Sequence, residues 1–267
     1  MKDRILVFIP MYNCEKQIPR VIAQFDAAAC ELIEEILVVD NGSKDGSVDA
    51  AKSSLGSLKN IKSSLVQNQD NYNLGGSHKV AFNYALDKGF DYVVVLHGDD
   101  QGSIADLIPH LKTQKHQNYD SFLGSRFSYK SILVGYSKLR TFGNYGVNLL
   151  CSVVGKKLVT DTGSGLNIYK TSYLKDKFYL YFPNNLTFNV YMLFYGIWSK
   201  SKFDFFALKW REDDQISNAK VLKQGLIILK LVWLYLLCPK SLFGRKENQY
   251  STINYQFNVI YSNKGDE

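Results

Sequence analysis
Along the first hundred residues, short apolar runs alternate with stretches whose apolar positions repeat at helical spacing. Residues 5–9, 36–39, 61–67 and 93–96 read as strands. The runs at 36–39 and 93–96 are continuously apolar, which suits strands buried on both faces of a parallel sheet. Between them, residues 15–29 set Ile18, Val21, Ile22 and Phe25 on one helical face. Residues 47–55 leave a turn-rich loop as a second helix, and a third runs from Gly75-Gly76 to about Lys88. The alternation predicts an α/β fold with a doubly wound, mostly parallel central sheet flanked by helices. Right-handed crossovers put successive strand C-termini on one edge, so the polar turns that follow share one rim.

The second half is patterned differently. Residues 119–124 read as a strand delivering Arg126 to the same rim, and 137–154 has helical length, with Arg140 and Asn144 one turn apart and Lys138 nearby. Val159 leads into Asp161-Thr-Gly-Ser-Gly165. Residues 178–182, 188–198 and 203–210 are dense in aromatics. The stretch 226–238 is apolar but interrupted by Lys230, with Lys220, Lys223, Trp233 and Tyr235 around it. Such a helix suits either a membrane interface or a buried core or dimer contact. After Pro239 the chain turns polar, with Lys240, Arg245 and Lys246, and is expected to form a partly disordered tail.

Composition narrows the partners. The chain has 267 residues, a net charge of +7, and 14% aromatics. That length fits one large domain or one domain with an appendage. The basic balance suits an anionic partner. Four scattered cysteines, Cys14, Cys30, Cys151 and Cys238, signal neither a zinc site nor a disulfide framework, and a reducing cytoplasm is the default. The N-terminus carries no signal-peptide pattern, and no apolar run reaches the roughly 20 residues that span a bilayer. The basic residues are dispersed among no recognised binding module, so nucleic acid is not an expected partner.

Chemistry concentrates where the fourth strand stops. His97, Asp99 and Gln101 follow Leu96 at alternate positions, so an extended backbone would project all three to one side, with Gly98 and Asp100 facing the other. Carboxylate, amide and imidazole are ligands a divalent cation accepts. The end of a central strand is also where open α/β sheets bind ligands. Asp40 directly follows a strand, where a carboxylate either accepts from a base or ribose, or caps the Gly42–Gly46 turn. Gly75-Gly76 opens a helix whose backbone N–H groups could meet a phosphate, while His78 and Lys79 read as surface residues of that helix. Neither a Walker nor a dinucleotide glycine pattern is present.

These residues carry a resemblance. Phe8-Ile-Pro-Met-Tyr-Asn13, Ile36-Leu-Val-Val-Asp-Asn-Gly-Ser43 with Asp45-Gly46, Asn73-Leu-Gly75, Val95-Leu-His-Gly-Asp-Asp-Gln101, Gly124-Ser-Arg126 and Asp161-Thr-Gly-Ser-Gly-Leu166 occur in one order. Together they resemble family 2 glycosyltransferases of GT-A fold, in the branch of dolichyl- and polyprenyl-phosphate sugar synthases. The resemblance implies a nucleotide-sugar-binding catalytic core over 1–175, an acceptor-side and membrane-interface segment over 176–240, and a polar tail over 241–267. It implies a nucleotide pocket of Pro10, Tyr12, Asn13, Glu15, Asp40, Asn41, Gly75 and Gly98, and a divalent cation (Mn²⁺ or Mg²⁺) on Asp99 and Gln101. His97 stands where the family's Asp-x-Asp has its first carboxylate. It either shifts the preference toward Mn²⁺ or stays off the metal and contacts phosphate. Asp100 is expected to be structural.

On the acceptor side the resemblance gives Arg126, Arg140, Arg211, Ser217 and Lys220 as phosphate contacts, and Asp161 as the group that binds sugar hydroxyls or acts as base. Many relatives carry an acidic pair ahead of a late helix; here the stretch is Pro183-Asn-Asn-Leu-Thr-Phe-Asn189, without a carboxylate. A hydroxyl acceptor needs a base, which Asp161, Asp213 or Asp214 could supply, whereas a phosphate monoester is already anionic near neutral pH. The expected function is therefore inverting transfer from a UDP- or GDP-sugar to a lipid-linked acceptor, polyprenyl phosphate, for cell-surface glycan synthesis. The expected location is the inner face of the cell membrane, peripherally. A saccharide hydroxyl acceptor and a catalytically inactive nucleotide-sugar-binding scaffold are the alternatives.

Overall fold
The structure, a computed structural model, describes residues 2–59, 61–212, 221–244 and 246–265, with the backbone alone at 221–224. Strands β1 (Ile5–Met11), β2 (Glu35–Asp40), β3 (Lys62–Asn68) and β4 (Tyr92–Leu96) form the half that the apolar runs predict. Helices α1 (Ile18–Ile22) and α2 (Ala27–Cys30) follow β1, α3 (Ser47–Gly56) follows β2, and α4 (Asn73–Asp87) follows β3. The single helix expected over 15–29 is thus two short ones, the second capped by the Asp26 carboxylate accepting from Ala29 N–H at 2.9 Å.

Beyond β4 come α5 (Ile108–Lys112), β5 (Ser121–Ser125), β6 (Ile132–Val134), α6 (Lys138–Gly155), β7 (Leu166–Lys170), α7 (Thr171–Leu174), α8 (Phe188–Trp198), β8 (Phe203–Ala207) and β9 (Lys209–Arg211). Helices α9 (Val221–Leu237) and α10 (Pro239–Phe243) precede β10 (Phe257–Asn263). The main sheet has eight strands in the order β10-β3-β2-β1-β4-β7-β5-β8, and β6 pairs with β9 beside it. Strands β3, β2, β1 and β4 are mutually parallel, whereas β7 runs antiparallel to both β4 and β5. The expected polar tail instead adds β10 antiparallel to β3 at the sheet's edge.

Period-two alternation divides the strands between two cores. Leu6, Phe8, Leu37, Val93 and Val95 face α4, α8 and the aromatic second half. Val7, Ile9, Val38, Val94 and Leu96 face α1 and α3 through Ile18, Val21 and Leu55. Full burial of each such side chain is worth about 1.5–3 kcal/mol, which holds the strand ends in fixed register. The chain winds outward from β1 through β2 and β3, then returns to lay β4 on the other side of β1. That reversal opens a crevice at the C-terminal ends of β1 and β4.

Candidate active site
The crevice is closed on one side by two loops zipped together. Asn13 N–H donates to Ser43 Oγ at 3.0 Å, and Asn13 Oδ1 accepts from Lys44 N–H at 2.8 Å. Glu15 N–H donates to Asp45, and Glu15 accepts from Gly46 N–H. Asp40 is fully buried and accepts from the N–H groups of Gly42 and Ser43 and from Gln67 Nε2 at 2.8 Å. It therefore caps its own turn. Asn41 ties β2 to the loop before α4, accepting from Asn68 Nδ2 and Tyr72 N–H at 2.9 Å each and donating to Asn71 Oδ1 at 2.8 Å. Tyr12 stands apart from this network, 47% exposed.

At the end of β4 the backbone turns rather than staying extended. His97 N–H donates to Gly165 O at 2.9 Å, Gly98 N–H to Pro10 O at 3.1 Å, and Asp100 takes a positive φ of 61°. A Cβ at Gly98 would lie 2.9 Å from the Pro10 carbonyl, so glycine lets β1 and the turn touch. Asp100 is buried and structural: Arg20 Nε donates to it at 2.5 Å, Gln24 Nε2 at 3.2 Å, and Arg211 pairs with it as well.

Among the described residues, Asp99 has one weak hydrogen-bond partner, the Gln101 N–H at 3.3 Å, and burial lifts its pKa to about 6. A desolvated carboxylate without a cation partner fits a divalent ion. His97 Nε2 is buried with no hydrogen-bond partner, and burial, reinforced by the Arg126 charge, lowers that imidazole's pKa to about 4. It is a neutral imidazole packed against Gly165 and the His78 ring. The described residues contain no cluster of three or more His, Cys, Asp or Glu placed to hold a metal. A cation on Asp99, with Gln101 and His97 at hand, would take its remaining ligands from a diphosphate and water.

Opposite the turn, β5 delivers Arg126, but not as a free phosphate contact. Its Nε and a terminal nitrogen grip the two Asp161 oxygens, each at 2.8 Å. Arg126 N–H and Gly163 N–H also donate to that carboxylate, at 2.9 and 3.0 Å. The guanidinium lies 5.2 Å from the Phe127 ring centre and 5.3 Å from that of Trp210. Asp161, expected to bind sugar hydroxyls or act as a base, is here engaged by four N–H donors. The other acceptor-side cations are engaged too. Arg140 pairs with Glu212 at 2.5 Å and lies over Tyr136, and Arg211 is held by Asp100. Ser217, Lys220, Asp213 and Asp214 lie outside the described residues.

Helix α4 brings the largest departures. Gly75 N–H does not face a phosphate; it donates to Asn184 O at 2.6 Å. A Cβ on Gly75 would come within 2.7 Å of Pro183 O, so the glycine serves close packing against the 183–188 loop. His78 and Lys79, expected at the surface, are completely buried. His78 Nδ1 meets Leu74 O at 2.8 Å, and its ring packs among Phe8, Phe188 and His97. Lys79 Nζ donates to Phe182 O at 2.6 Å, Asn184 Oδ1 at 2.7 Å, and Leu180 O and Tyr255 Oη at 3.1 Å. With no carboxylate among those partners, burial lowers its pKa to about 7. The one sequence signal of this burial is the run of small residues, Gly75, Gly76, Ala81 and Ala85, along the same helix.

Residues 6–178 match the family described as Glycosyl transferase family 2, and the chain belongs to that family. An uncharacterised protein of Methanocaldococcus jannaschii is 29% identical over 63% of this chain and 65% of its own length. A UDP-N-acetylglucosamine–dolichyl-phosphate N-acetylglucosaminyltransferase of Methanococcus voltae is 25% identical over 66% of this chain and 73% of its own. An undecaprenyl-phosphate mannosyltransferase of Micrococcus luteus is 24% identical over 64% and 68%. Glucosyl-3-phosphoglycerate synthase of Mycobacterium tuberculosis, solved with Mn²⁺, UDP and phosphoglyceric acid, superposes with a TM-score of 0.62 at 14% identity, over 96% of this chain and 86% of that one. The fold is GT-A, as the sequence motifs implied.

Proposed function
We propose that the chain moves a sugar from a nucleoside-diphosphate donor onto polyprenyl phosphate, with inversion at the anomeric carbon. The observation that carries this reading is the engagement of Asp161 by Arg126, together with the absence of any carboxylate from residues 183–189. A hydroxyl acceptor would need a base there; a phosphate oxygen attacks as the anion it already is. The relatives from M. voltae and M. luteus, named for dolichyl- and undecaprenyl-phosphate transfer, support the same acceptor class.

In this reading the exposed Tyr12 ring covers the base of the donor, and the 13–15 and 40–46 loops form the pocket wall. Asp99 and Gln101 would hold a divalent cation, and His97 would offer a neutral nitrogen to the cation or the diphosphate. That cation, when bound, offsets the charge building on the departing nucleoside diphosphate. The phosphate acceptor's attacking oxygen displaces the diphosphate oxygen from the anomeric carbon in one step, and no proton has to be removed from it.

A screen of UDP- and GDP-sugars for Mn²⁺-dependent protection against heat, followed by product analysis, tests this. Transfer to polyprenyl phosphate, lost in Asp99→Ala and absent with the dephosphorylated polyprenol, is the expected result. Transfer to a saccharide hydroxyl instead, or donor binding without turnover on any acceptor, would overturn it.

A further inference from the structure
Two helices turn an apolar face outward. On α6, Leu139, Phe142, Leu149 and Val153 are 66–81% exposed, and at 100° per residue they fall within one quarter of the helix circumference. The opposite side is fixed to the body by buried Asn148 and Cys151, with Val147, Leu150 and Val154 packed on the core. On α9, Leu226, Leu229, Trp233 and Leu236 are 47–67% exposed and again share one face, while Leu231 and Val232 are buried. The two helices pack against each other, so the stripes are neighbours. None of the described residues covers them, and an apolar surface of this extent marks an interaction site.

Charge selects the occupant. Helices α6, α9 and α10 contain no Asp or Glu. The stripes are bordered by exposed Lys138, Lys156, Lys230 and Lys240. A second copy of this chain would bring the same cations face to face. An anionic bilayer meets both features at once: acyl chains take the leucines and Phe142, headgroups take the lysines, and Trp233 and Tyr145 sit at the boundary. No described helix is long and apolar enough to cross a membrane, so the contact lies in the plane.

We propose that α6 and α9 form a platform that docks on an anionic phospholipid surface. This deepens the reading of a lipid-borne acceptor, on which it rests, by naming the surface that meets the acceptor's membrane. Arg140, near the start of α6, and its partner Glu212 place the platform beside the β6–β9 flap and the acceptor side of the crevice.

The test is flotation of the full chain with phosphatidylcholine vesicles with and without phosphatidylglycerol, in the absence of donor and acceptor. Co-flotation that requires phosphatidylglycerol is expected, at least about tenfold weaker in high salt or in Leu149→Glu and Trp233→Glu at unchanged melting temperature. No flotation, flotation indifferent to both substitutions, or a solution dimer that Trp233→Glu splits would each overturn the platform. Transfer to a short-chain, water-soluble prenyl phosphate is assayed separately. If both variants keep it while losing transfer to vesicle-borne acceptor, the platform stands; if the wild type lacks it yet floats, the acceptor reading fails alone.

Discussion

Arg126 and Lys79 are both cations held away from water, and they are stabilised by opposite means. Arg126 faces a carboxylate in bidentate geometry between two aromatic rings. Lys79 faces four neutral oxygens and two tyrosine rings, Tyr250 and Tyr255. The first arrangement neutralises charge and fixes a plane, clamping β5 to the 161–163 loop. The second gathers carbonyls from residues 180–184, and the tail through Tyr255, around one point of α4. It leaves the charge uncompensated, which is why the lysine loses basicity and the arginine does not. One clamp is therefore insensitive to pH near neutrality and the other is not.

The contrast breaks most sharply at Asp161. Asp161→Asn leaves the Arg126 guanidinium buried without a counterion, and about 3–5 kcal/mol of stability is expected to vanish in urea unfolding. An unchanged midpoint with lost turnover would instead make Asp161 a group that acts on substrate. Lys79→Met orphans buried carbonyls and is expected to cost about 1–3 kcal/mol at neutral pH. Between about pH 7 and the free value of 10.5, the unfolded chain holds a proton that the folded chain has released. Wild-type stability therefore gains up to about 1.4 kcal/mol per pH unit from this group in that window. Buried Cys14 and Cys151, raised to about 12, oppose it above pH 9, so the wild-type-minus-variant difference is the quantity to plot. A flat difference would show that Lys79 stays charged throughout. The smallest effect is expected at Arg140→Ala, about 0.5–1 kcal/mol, because its pair with Glu212 is more open to water. If Arg140→Ala cost as much as Asp161→Asn, depth of burial would not be what separates these two ion pairs.

The half of the molecule that repeats strand and helix was legible residue by residue. Apolar runs gave β1, β2 and β4 nearly to their ends, whereas the turn after β4, with Asp100 at positive φ, replaces the extended backbone expected there. The role of Asp100 was legible as well. What stayed hidden shares one physical cause: contacts between residues far apart in the chain. Lys79 meets oxygens more than a hundred residues away, and no periodicity records that. A lysine one position from a histidine on a helix looks solvated unless the helix is known to be enclosed. Arg126 and Asp161 were each noticed as reactive groups; that they neutralise each other depends on β7 running antiparallel beside β5, which local sequence does not specify. The β10 segment alternates polar and apolar residues too loosely to announce a strand.

That last strand has a consequence in time rather than in space. The outer edge of β3 is covered by a strand from much later in the chain. During synthesis the first seven strands of the sheet can assemble while this edge still exposes unpaired N–H and C=O groups, a template for another chain. Closure of so long a loop is slow compared with local pairing. An intermediate in which the other seven strands have formed while β3 is still open is therefore adhesive until β10 docks.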